Sequence, residues 1–151
     1  VVDAAVALEN LGGVRAIVLG ADWTLGSGNA VVFTSIESGA DIVTLSPGNP
    51  SISLPPGIYC CGFSNRRSWT SSFSYALVMS GTINITDGVG AIKATNYDAF
   101  SVPPNGTMTR DILAPTYPFV VSEGEDIRII CSGSFGTWGS GGRRCLLLKL
   151  A

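Results

Sequence analysis

At 151 residues the chain is long enough for one domain that buries roughly 68–70% of its unfolded surface. A formal net charge of −2 without a basic stripe argues against nucleic-acid binding, and no run of 18 apolar residues is present to cross a membrane. Only 13% of residues are charged, against roughly 25% in an average soluble domain, while 46% are hydrophobic. Either Ser, Thr, Asn and Gly cover the outside or further copies of the chain cover part of it; the second is the expectation.

Val1–Leu11 predicts a short helix, with Asp3 as its cap, Ala4, Leu8 and Leu11 on one face, and Gly12-Gly13 ending it. At roughly nine residues it is shorter than the roughly 12–15 that are marginal alone in water. Its apolar face must pack on the domain or on sister helices around a threefold axis. These residues hold no basic segment of a secretory signal and no initiator Met, so a processed product or a C-terminal piece of something longer is expected. The stretch Ala7–Gly13, ALENLGG, resembles the short Ala/Leu-Asn-Leu-Gly segments that link modules in phage tail fibres. Residues 1–13 are accordingly read as a helical junction to a fibre shaft, and 14–151 as a head domain.

From Val14 the pattern is that of strands. Val14–Leu19 and Ala30–Ser35 flank a Gly26-Ser27-Gly28-Asn29 turn, and Asp41–Leu45 runs into a Pro47–Pro50 loop. In SISLPPGIYCCGF, Ser51–Phe63, Ile52 and Leu54 alternate with serines, Pro55-Pro56-Gly57 interrupts, and Ile58 onward resumes as a strand. That is a sandwich corner, read as a type II turn with Gly57 at positive φ. Phe73–Met79 is predicted as a central strand and Gly81–Thr86 as a second one ending in a hairpin turn at Asp87-Gly88. Ala91–Thr95 is a short strand and Asn96–Tyr117 a long exposed insertion, with Met108 and Ile112-Leu113 as possible anchors. Ile127–Cys131 follows an acidic turn. In the last strand Leu146, Leu148 and Leu150 share one face and Cys145, Leu147 and Lys149 the other, which implies a central position and cover on both sides.

Cys60, Cys61, Cys131 and Cys145 sit within apolar strands without metal-site spacing, and are expected to be buried free thiols; a Cys131–Cys145 disulfide is the alternative. The absence of His removes Ser/His/Asp and Cys/His arrangements. Glu123, Glu125 and Asp126 lie in one solvated turn, Asp87, Asp98 and Asp111 are scattered, and no phosphate-binding Gly-rich motif occurs. Asn84-Ile85-Thr86 and Asn105-Gly106-Thr107 fit the N-glycosylation pattern, which matters only in a secreted eukaryotic protein. No catalysis, cofactor or metal is expected.

Three features together resemble the C1q/TNF-like jelly roll: the Ile52–Tyr59 strand with its Pro-Gly-x-Tyr, the acidic lead-in to a D-x-R-I strand at Glu123–Ile129, and the terminal LLLKL. The resemblance covers Val31 to Ala151; the Asn96–Tyr117 insertion and the Cys60-Cys61 pair depart from it. It implies an all-β jelly-roll β-sandwich forming a homotrimer, with Leu8, Leu11, Leu146, Leu148 and Leu150 as candidate interface residues. Aromatics beside cations in loops (Trp69 after Arg66 and Arg67, Tyr97-Asp98, Tyr117, Trp138 before Arg143) are the candidate ligand contacts, suited to a sugar ring and its acidic substituents. The bland alternative is that each ring folds onto its own loop. The functional expectation is a phage tail-fibre head in the virion, binding a bacterial polysaccharide or outer-membrane protein. The runner-up is a capsid decoration or head-fibre protein, and a third is a secreted signalling ligand.

Overall fold

The computed structural model describes residues 14–20, 23–25, 27–136 and 144–151. Among these the regular structure is strand apart from one 3-10 turn at Ser27–Asn29. The strands are β1 (Arg15–Leu19), β2 (Trp23–Leu25), β3 (Val31–Phe33), β4 (Ile36–Ser38), β5 (Thr44–Leu45), β6 (Ile52–Ser53), β7 (Gly57–Gly62), β8 (Ser64–Thr70), β9 (Leu77–Asp87), β10 (Ile92–Val102), β11 (Thr107–Leu113), β12 (Phe119–Val121), β13 (Asp126–Gly133) and β14 (Cys145–Lys149). One five-stranded sheet has the order β12-β7-β14-β1-β4 and a second the order β10-β9-β13-β6-β5. Two-stranded ladders, β11-β8 and β2-β3, complete an all-β arrangement consistent with a β-sandwich.

The core follows from alternation. Along β13, Ile127, Ile129 and Cys131 are buried while Arg128, Ile130 and Ser132 are half-buried, as period-two side chains on a one-sided sheet require. Cys131 lies opposite Ile83 and Ile129 opposite Ile85 on β9. From the other sheet come Ile17, Leu19, Tyr59, Cys61, Phe119, Val121, Cys145 and Leu147, all in the same buried cluster. Each fully buried Ile or Leu contributes about 1.5–3 kcal/mol. β14 occupies the centre of its sheet between β7 and β1, as its apolar sequence implied.

The Pro-Pro-Gly corner is where the chain changes sheets: β6 pairs with β13, whereas β7 pairs with β14 and β12. Proline offers no ladder donor, so pairing stops there. The Tyr59 hydroxyl donates to Pro55 O at 2.7 Å and ties the corner down. Burial raises the Tyr59 pKa, which keeps it a donor. The expected type II geometry is corrected, because Gly57 is not among the residues at positive φ. What Gly57 supplies is room, since a Cβ there would stand 2.3 Å from Ala151 O.

Several strand boundaries also differ from expectation. Phe73–Tyr75 is exposed turn rather than central strand, and β9 runs unbroken from Leu77 through Gly81 to Asp87. Gly81 marks close approach, not a break: a Cβ there would meet Ser132 O at 2.3 Å and the Phe135 ring at 2.8 Å. The hairpin at Asp87 forms as expected, with the carboxylate accepting from Val89 N and Ala91 N. Asn96–Tyr117 is not a loop insertion, for β10 extends to Val102 and β11 pairs with β8 along its full length. The predicted helix, with Leu8 and Leu11, lies outside the described residues.

Candidate functional site

The segment SNRRSWT, read as a polar loop around Trp69, is strand β8. Ser64, Arg66, Ser68 and Thr70 face outward, while Asn65, Arg67 and Trp69 face in. Trp69 is therefore not an exposed ring: at 6% exposure it packs edge-on against Phe100 (4.8 Å between centroids) and Phe135 (6.0 Å). The same side chains satisfy a segment far along the chain. Arg67 Nη1 and Trp69 Nε1 both donate to Ser134 O, at 3.0 and 3.3 Å, and Asn65 Nδ2 donates to Phe135 O at 3.1 Å. The Arg67 guanidinium also lies over the Trp69 ring, 5.3 Å from its centroid. Burial lowers the Arg67 pKa and raises that of neighbouring Cys131 to about 11, which leaves this thiol protonated and unreactive at neutral pH.

The other candidates separate in space. Arg66 pairs with Asp111 across the β8–β11 ladder at 3.6 Å. Asp98 turns inward from β10 to Arg110 at 2.8 Å, and that guanidinium covers Phe100. The Tyr117 hydroxyl accepts from Thr95 N and donates to Thr95 O, closing part of the free edge of β10. Trp138 and Arg143 lie outside the described residues. Among the described residues Tyr97 stands furthest out of the named aromatics, 64% exposed on the outer face of the second sheet, with Tyr117 at 49%.

That face is polar. Beside Tyr97 run Thr95, Asn84, Thr82 and Ser132, linked in series: Thr95 Oγ1 donates to Asn84 Oδ1, Asn84 Nδ2 to Thr82 Oγ1, and Thr82 shares a hydrogen bond with Ser132. Near one rim Lys93 meets Glu125 at 2.7 Å; that bond, first, and the Ser122 N–H hold the Glu125 pKa below its ordinary value.

The outer face of the first sheet has the opposite character. Ala16 and Val18 on β1, Leu146 and Leu148 on β14, Ile58 and Cys60 on β7, and Val120 on β12 alternate with buried neighbours and so point outward. Their registers make the patch continuous: Ala16 lies beside Leu148 and Leu148 beside Cys60, Val18 beside Leu146, and Ile58 beside Val120. Leu150 N donates to Ile58 O, extending the same row. None of these residues is charged. The three leucines are legible in the sequence by alternation, whereas their neighbours on β1, β7 and β12 are not; the signal for β7 is GIYCC, apolar at successive positions rather than at alternate ones.

All four cysteines are free. Cys145 faces Cys61, not Cys131, with sulfurs 3.9 Å apart. A half-open cavity of about 180 Å³ is lined by Phe33, Thr34, Leu45, Ser46, Pro47 and Gly48, none of them an acid or base at neutral pH. No cluster of three potential metal ligands occurs among the described residues. The chain matches no protein-family model, and no curated protein resembles it at a significant level.

Proposed function

We propose that the chain is a homotrimeric, C1q/TNF-like jelly-roll head of a phage tail fibre or related tail-like particle, and that it attaches to a bacterial surface glycan or protein. The strand order supports the jelly-roll reading. β1 and β14 lie side by side at the middle of one sheet, and β13 lies between β9 and β6 in the other. The chain crosses directly between the two five-stranded sheets at β4–β5, β6–β7, β12–β13 and β13–β14, as a double Greek key wraps.

The observation that carries the trimer is the uncharged outer face of the first sheet. A single copy exposes Leu146 at 39%, together with Ile58 and Val120, in a chain with few ionic groups to offset them. Two further copies would cover this face and leave the polar sheet, with Tyr97, turned outward. Three weak sites on one head raise avidity by about 10²–10⁴ over a single site. Residues 1–13 would join the head to a shaft.

The test is adsorption of fluorescently labelled protein to a panel of bacterial strains and to isolated phage capsids. Saturable labelling of at least one strain is the expected result. Binding to capsids and to no strain would replace the receptor role with capsid decoration.

A further inference from the structure

We infer that the turn between β8 and β9 carries a binding platform for a neutral saccharide, formed by Phe73 and Tyr75. This rests on the receptor-binding reading and names the ligand class for it. The two rings lie nearly parallel, 16° apart with centroids 5.0 Å from each other, yet remain 48% and 58% exposed. Two large rings stacked on one another in solvent leave flat apolar faces of the size and shape of the C–H face of a pyranose.

The platform is held in place from beneath. Ser71, almost wholly buried, accepts from Phe73 N through its hydroxyl and donates the same hydroxyl to Tyr75 O. Asn105 N donates to Phe73 O at 2.9 Å, and Ser71 N donates to Gly106 O at 2.9 Å, which fastens the turn to the β10–β11 connection. The ordering cost of binding is thereby reduced before a ligand arrives.

Charge guides the choice of ligand. No Asp, Glu, Lys or Arg occurs from Ser68 to Thr86 or from Ala99 to Thr109, the two segments these hydrogen bonds join. Ser72, Ser74 and Asn105 stand exposed beside the rings, and supply hydroxyl and amide partners without charge. An acidic polysaccharide would find no cation on these two segments to neutralise it, whereas a neutral sugar needs a ring face and a few hydrogen bonds.

Position agrees with a receptor-facing tip. Arg15, at the start of β1, is level with Lys149, which is level with Tyr59 near the start of β7. The chain then runs from Tyr59 through β7 and β8 to Ser71, twelve residues or up to about 40 Å of extended strand. The platform therefore lies at the far end from residue 14, where the proposed shaft would join.

The experiment is an array of neutral and acidic oligosaccharides probed with the full chain and with Phe73→Ala, Tyr75→Ala, the double variant and Tyr75→Phe, alongside adsorption to bacterial strains. Wild type is expected to bind neutral oligosaccharides with little change between about 50 and 500 mM salt. The double variant is expected to lose about tenfold or more in avidity, with Tyr75→Phe close to wild type because the ring remains. Binding confined to acidic sugars, or a double variant that binds like wild type, overturns the platform. If strains are still labelled under either outcome, the receptor role survives. Wild type that labels neither array nor cells overturns both.

Discussion

Trp69→Ala is expected to destabilise the chain by about 3–5 kcal/mol, a large share of the roughly 5–15 kcal/mol that holds a domain together. The indole packs edge-on against both Phe100 and Phe135, which are themselves parallel and 6.2 Å apart. Its removal leaves a cavity, takes one of two donors from Ser134 O and uncovers the apolar side of the buried Arg67 guanidinium. Trp69→Phe keeps a ring but loses the indole N–H, and about 1–2 kcal/mol is expected there. Urea unfolding measures both. An Ala variant within about 1 kcal/mol of wild type but unable to bind cells would return Trp69 to the ligand site suggested by its sequence neighbourhood.

The second large effect concerns assembly. On the proposed trimer, Leu148→Lys and Leu146→Lys are each expected to give a folded monomer. In one copy Leu146 is 39% exposed and Leu148 half-buried, so a lysine there can reach water and cost little. In the proposed trimer the same ammonium would be enclosed among Ile58, Cys60, Val120 and Val18 with no carboxylate among them, a penalty of several kcal/mol per copy. Cys60 reports the change independently, because it points out from the middle of that face while Cys61, Cys131 and Cys145 are buried. Its alkylation by iodoacetamide should be slow in wild type and about tenfold or more faster in the variants, with the other three thiols slow in both. Equal Cys60 rates in wild type and variants would place the subunit contact elsewhere.

Features that depend on neighbouring residues were legible in the sequence. Pro55-Pro56 stops a ladder by itself, Asp87-Gly88 closes a hairpin with its own carboxylate, and the double-sided apolarity of Cys145–Leu150 marks a central strand. Features that depend on distant partners were not. SNRRSWT looks like a loop because Asn65 and Arg67 are poor core residues until the carbonyls of Ser134 and Phe135 arrive from some seventy residues away. Gly81 looks like a turn because only the approach of Ser132 and Phe135 reveals that it is a gap for them. The candidate ligand site suffered in the same way. Exposure of an aromatic is decided by strand parity and by what packs beneath it, which placed Trp69 inside, bound Tyr117 to the β10 edge, and left Phe73 and Tyr75 in the open.

Sedimentation equilibrium of the wild-type protein at micromolar concentration tests the assembly on which the functional reading stands. Three copies of a 15.6 kDa chain give a predicted mass of about 47 kDa, unchanged on dilution. A single species at 15.6 kDa would mean that the apolar sheet face is open to solvent in the native molecule, contradicting the trimeric head.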